Sequence, residues 1–133
     1  MQDCTEGSEY YDKEKGLFFI QPRSSKAIFR VFCNMIWGGR SYMMIIEKDG
    51  PYMNFTRSWQ EYKDGFGVSE YDVINKKGSF WAGNEMLHQL TTSRRYTLTV
   101  EAGYETYKQY IYEGFVVRIT YTILTAKRNA KHI

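Results

Sequence analysis

Two short runs of aromatic and β-branched residues, 17–20 and 27–32, open the patterned part of the chain. Between them Gln21-Pro22-Arg23-Ser24-Ser25-Lys26 supplies turn residues, so the pattern predicts an antiparallel strand pair. Residues 34–41, with Gly38-Gly39, interrupt the alternation before a third predicted strand over 42–47, which closes at the turn signal Asp49-Gly50-Pro51. The middle of the chain then changes period. Ser58 followed three residues later by Glu61 forms a capping box and predicts a short helix over 59–63, and Gly65-Phe66-Gly67 stops it. Asn84 is placed to cap a second helix over 85–90, in which Met86, Leu87 and Leu90 share one face.

Period two returns in the last third. Tyr96, Leu98 and Val100 alternate with Thr97, Thr99 and Glu101, and Phe115, Val117, Ile119, Tyr121 and Ile123 repeat the pattern over a longer run. Between them Tyr104, Tyr107 and Tyr110 fit helix spacing, whereas Tyr110 and Tyr112 fit a strand, and the second half is assigned to strand. No internal repeat is visible. The predicted architecture is α+β, a mainly antiparallel β-sheet with two short helices.

Composition narrows the classes. A chain of 133 residues accommodates one compact domain. Apolar residues at 43% and charged residues at 25%, with only 2 prolines, belong to a folded globule and not to a disordered segment. No apolar run approaches the roughly 20 residues of a membrane-spanning helix, and no leader pattern opens the chain, so for a secreted protein the signal peptide is expected to have been removed or not to be included in this sequence. The net charge of +3 owes much to Lys127, Arg128 and Lys131, read as a solvated basic tail over residues 126–133. The rest is nearly balanced and lacks the clustered basic face that nucleic-acid binding requires. Cys4 and Cys33 are too few for a structural zinc site and lack redox spacing, which leaves one disulfide or two free thiols. A bridge over that span would stabilise the fold by about 3.6 kcal/mol in the chain-entropy treatment, in an oxidising compartment only.

Candidate chemistry is sparse. His88 and His132 are the only imidazoles, and neither a nucleophile elbow nor a glycine-rich phosphate loop occurs, so no catalytic constellation can be assembled. Glu85 and His88 have the i, i+3 spacing of carboxylate-bridged metal sites, but the further ligands such sites need are missing, and both read as solvated helix residues. The five aspartates are scattered singly, unlike a calcium loop. Asn54-Phe55-Thr56 is an N-glycosylation sequon. Trp37, Trp59 and Trp81 could form a stacking platform, but aromatic residues in a small α+β domain are more often core, and they are read as core.

Two blocks carry a family resemblance. Asn54-Phe55-Thr56-Arg57-Ser58-Trp59-Gln60-Glu61-Tyr62-Lys63-Asp64-Gly65-Phe66-Gly67 resembles the DF-x-R-x-W-x-x-Y-x-x-GFG segment of fibrinogen-related C-terminal domains. Ser79-Phe80-Trp81-Ala82-Gly83-Asn84-Glu85-Met86-Leu87-His88-Gln89-Leu90-Thr91 resembles the same family's EFWLGNE-x-IH-x-LT segment. The likeness extends to Asp3-Cys4, to Val31-Phe32-Cys33-Asn34-Met35, to Gly39 with residues 42–48, and to the strand at 96–101. It implies that Cys4 and Cys33 form the family's first disulfide, hence an oxidising, extracellular setting. It also implies a non-catalytic recognition, adhesion or signalling domain, as in ficolins, angiopoietins and tenascins, with Trp59, Tyr62, Gly65, Phe66, Gly67, Phe80, Trp81, Gly83, Asn84, Glu85 and His88 as its structural motif.

Departures from the family pattern are specific. Tyr42 stands for a tryptophan, Ile46 and Glu47 replace a Gln-Arg pair, and roughly eight residues are inserted within 68–79. The resemblance covers about residues 3–125, read as a small N-terminal subdomain (about 1–40) and a partial central sheet subdomain (about 41–125). The family's calcium loop, second disulfide and ligand pocket follow that region, so no cofactor is expected, and the domain is expected to be incomplete. The expected partner is a protein or glycan. The alternative is a shortened product without a pocket of its own, acting by self-association or with a partner chain through an unpaired edge at residues 115–125.

Overall fold

The computed structural model describes residues 1–11, 14–23, 25–47, 53–103, 108–118 and 123–128, the last six by their backbone. Asp49-Gly50-Pro51, Tyr104, Tyr107, Ile119, Tyr121, Lys131 and His132 lie outside the described residues.

The predicted hairpin pair forms. Strand β1 (Lys15–Ile20) and strand β2 (Phe29–Asn34) run antiparallel, with Phe18 opposite Val31 and Ile20 opposite Phe29. A single-turn helix absent from the sequence reading, α1 (Cys4–Gly7), precedes them, capped by Asp3, whose Oδ1 accepts the Glu6 N–H at 2.7 Å. One strand expected over 42–47 is instead two. Strand β3 (Arg40–Ser41) pairs with β2, and β4 (Met44–Ile45) pairs with β5 (Phe80–Trp81) in a different sheet. The change of partner falls at Tyr42 and Met43, where Tyr42 N–H still donates to Phe32 O but Met43 O already accepts from Ala82 N–H.

Helix α2 (Trp59–Asp64) carries the predicted capping box, with Glu61 N–H donating to Ser58 Oγ and Ser58 N–H to Glu61 Oε1. Helix α3 (Asn84–Ser93) is longer than expected and its cap is Gly83, not Asn84. Gly83 has φ 113°, and its carbonyl accepts the Leu87 N–H, so the turn into the helix is made by backbone freedom. Asn84 is thereby drawn inside the first turn.

The third sheet corrects the reading of the C-terminal run. Strand β6 (Thr97–Ala102) pairs with β7 (Lys108–Arg118), and β7 pairs with β8 (Ile123–Arg128). The alternation over 115–123 is thus two strands, not one; of the edge expected at 115–125, residues 115–118 are central, between β6 and β8, whereas 123–125 lie in β8 at the end of the described sheet. Residues 126–128, read as solvated tail, continue β8, with Lys127 opposite Glu113.

One core joins these parts. Ile20, Val31, Cys33 and Met35 from the first sheet meet Met86, Leu87 and Leu90 of α3 and Phe115 and Val117 of β7. Helix α3 is also locked to β7 by polar contacts, since Val117 N–H donates to Thr91 Oγ1 at 3.0 Å and Val117 O is 2.7 Å from His88 Nδ1.

Candidate functional site

Cys4 and Cys33 are joined by a disulfide, which ties α1 to the C-terminal end of β2. Next to it, Asp3 is almost wholly buried, a costly position for a carboxylate unless it is paired. Three donors meet it: the Glu6 backbone, Tyr96 Oη at 2.5 Å and Arg94 at 3.1 Å, both on Oδ2. Burial, together with the hydrogen bond to Asp3, holds the Tyr96 phenol well above its ordinary range. Sequence reasoning found Asp3 only as the neighbour of a cysteine. Its partners lie 91 and 93 residues away, a distance that no local pattern crosses.

The two motif blocks assemble around Trp81. Its indole N–H is 3.1 Å from both Tyr62 O and Asn84 Oδ1, so the end of α2 and the start of α3 are fastened to one side chain. Tyr62 and Phe66 pack edge-to-face, and Phe55 meets Phe66 from another side. Gly65 and Gly83 let the two segments touch: a Cβ on Gly65 would lie 2.6 Å from Ala82 O, and one on Gly83 would lie 2.9 Å from Asp64 O. Gly67, Phe80 and the capping box complete this scaffold, whose chemistry is positional. Glu85 Oε1 accepts from Gln89, and His88, expected in solvent, is half-buried against β7. Among the described residues no three metal-ligating side chains converge.

The tryptophans divide. Trp81 is partly buried as expected, but Trp37 and Trp59 are 85% and 52% exposed and are not core. Trp59 opens α2, a helix without a buried residue, so nothing covers its outer face. Asn54 is exposed, with its Oδ1 accepting the Thr56 N–H at 2.9 Å.

A cleft of roughly 330 Å³ opens beside this scaffold. Ile28, Phe29 and Arg30 form one wall and Asp64, Phe66 and Glu70 the other. The β2 face that bears Arg30 also bears Phe32, whose ring meets those of Tyr42, Tyr71 and Phe80. Among the residues that line the cleft, Arg30, Asp64 and Glu70 bring charges of both signs. Phe19 pairs with Arg30 across the sheet and is 66% exposed.

The inserted segment has structure of its own. Asp72 and Lys77 exchange backbone hydrogen bonds, and Asp72 Oδ1 accepts from the N–H groups of Ile74 and Asn75. The hydrogen bonds from Asn75 hold the Asp72 carboxyl below the usual range. Ile74 stands at the tip, 90% exposed.

Comparison with known proteins agrees with this construction. The family described as fibrinogen beta and gamma chains, C-terminal globular domain, matches residues 1–124. Bovine fibrinogen-like protein 1 is 38% identical over 117 residues, which are 86% of this chain and 36% of that protein. Bovine angiopoietin-4 is 35% identical over 113 residues, 82% of this chain and 21% of its own length. A lamprey fibrin D-dimer complexed with the peptide Gly-His-Arg-Pro-amide superposes with a TM-score of 0.80 at 29% identity, over 99% of this chain and 40% of that one. The fibrinogen-like globe domain of human ANGPTL2 gives 0.81 at 24% identity, over 99% of this chain and 59% of that one, a likeness of fold. The chain therefore spans between a fifth and three fifths of these relatives. With both motif blocks and the first disulfide in place, the chain belongs to the fibrinogen C-terminal globular domain family.

Proposed function

We propose that this chain is a non-catalytic extracellular recognition domain that binds a protein or glycan partner through its surface and needs no cofactor. The observation that carries this reading is the division of labour in the fold. Trp81, Tyr62, Asn84, Gly65 and Gly83 are consumed in holding the segments together, while Ile28 and Arg30 stand exposed at the cleft and Phe19, opposite Arg30 across the sheet, is exposed next to them. Exposed aromatic and arginine side chains beside a cleft are the composition of recognition hot spots. Family membership supports the extracellular setting, and the lamprey fibrin fragment holds a peptide ligand. The test is saturable binding of the labelled, disulfide-bonded chain to cell surfaces, displaced by unlabelled chain. Phe19→Asp and Arg30→Glu should weaken it at least tenfold while the circular dichroism spectrum is unchanged. Complete absence of saturable binding would remove the reading.

A second reading, association with another polypeptide, rests on β8, which among the described residues stands at the end of its three-stranded sheet with β7 as its one neighbour. A strand from another chain could pair with that edge. Concentration-dependent assembly in light scattering supports this reading, and a monomer at all concentrations defeats it.

A further inference from the structure

We infer that Asn54 is an N-glycan acceptor, a modification site that the binding surface does not use. Asn54-Phe55-Thr56 has the required spacing, with Phe and not Pro in the middle and Arg57 following. Exposure alternates through the loop: Asn54 and Thr56 face solvent, while Phe55 turns inward onto Phe66 at 5.4 Å between ring centroids. The loop is pinned without help from the acceptor's nitrogen. Arg57 Nε donates to Asn54 O at 2.7 Å, its guanidinium lies 4.7 Å from the Phe66 ring centroid, and Tyr62 Oη donates to Phe55 O. The Asn54 oxygen is committed to the Thr56 N–H, and Nδ2 has no partner among the described residues.

The family pattern reads Asp at this position. Asp offers the same acceptor to the backbone but no nitrogen, so the change to Asn keeps the turn and adds the nucleophile. Transfer breaks the C1–O bond between a lipid-diphosphate-linked oligosaccharide and its diphosphate, which leaves with the bonding pair. The C1–Nδ2 bond forms and Nδ2 gives up one proton to the transferase. The Cys4–Cys33 bond is formed in the same oxidising compartment that holds this donor.

This inference rests on the extracellular part of the proposed function and not on its ligand. Translation of the chain behind a secretory leader, with microsomal membranes and protease protection to select translocated product, reads it without requiring binding. The expected result is one added oligosaccharide, removed by peptide N-glycosidase, lost in Asn54→Gln and Thr56→Ala, and kept in Thr56→Ser. Protected chain that remains unmodified, or modification that survives Asn54→Gln, overturns it. Failure of the cell-surface binding test leaves this readout unchanged.

Discussion

Gly78 donates its backbone N–H to Glu47 Oε2 at 2.6 Å, joining two places where the chain departs from its family. Glu47 replaces the arginine of the family pattern, and Gly78 belongs to the inserted segment. The Glu47 N–H also donates to Ser79 Oγ at 2.7 Å, and Lys77 Nζ lies 3.6 Å from Glu47 Oε1. The insertion and the charge reversal are therefore one device: an arginine at 47 would face Lys77 and leave the Gly78 N–H unpaired. Glu47→Arg should destabilise the chain by about 1.5–3 kcal/mol, the range for a lost hydrogen bond to a charged group. In a chain from which the insertion has been deleted the same change should cost much less, and a double-mutant cycle in urea measures the difference. Equal costs would show that the two departures are independent.

Tyr96 makes stability depend on alkaline pH. Its phenol is held above the ordinary value of 10.0 by burial and by Asp3, so the folded state keeps a proton that the unfolded chain releases. The stabilisation is complete below that ordinary value and declines as pH rises from it toward the raised folded value. Tyr96→Phe should flatten this alkaline limb in thermal melts between pH 9 and 11 (about the ordinary phenol range), and an unchanged limb would assign it to other groups.

Glu61 acts at the acid end with the opposite sign. The Arg57 side chain, and then the Ser58 backbone and hydroxyl, hold its carboxyl below the usual value of 4.5. Its contribution is present above that value and is lost as pH falls through the depressed folded one. Glu61→Gln should remove this acid dependence while retaining the capping geometry, as read by amide exchange within α2.

Gly65→Ala and Gly83→Ala each place a Cβ within 3 Å of backbone, at φ 88° and 113°. Backbone in that region cannot give way as a side-chain tip can, so each should cost more than about 1 kcal/mol. If both are neutral in urea denaturation, the α2–α3 contact is looser than its geometry.

Replacing both cysteines by alanine should lower stability by about 3.6 kcal/mol. Reduction of the native chain should reproduce most of that loss, and a much smaller effect would show that α1 is held by Asp3 alone.

Where local pattern controls structure, the sequence was readable. The capping box, the first hairpin pair and the period-two strand at 96–101 depend on neighbours a few residues apart, and they lie close to where that spacing placed them. The errors share a physical cause. Residues 42–47 looked like one strand because alternation cannot show that the chain changes partner from β2 to β5 at Met43. Asn84 looked like a cap because its type is right, but Trp81 claims its oxygen and Gly83 supplies the turn. The cleft was not legible, since its walls come from segments about 40 residues apart that only the tertiary fold brings together.

The stapling at the beginning of the fold also has a mechanical meaning. Cys4 is bonded covalently to β2, while Asp3, one residue earlier, is held by Arg94 and Tyr96 beside the start of β6. Tension applied at these residues enters the domain at two points at once, into different sheets, before α1 can peel away. The first turn is thus an anchorage that passes load directly to the core, and a tether fastened there would stretch before the domain unravelled.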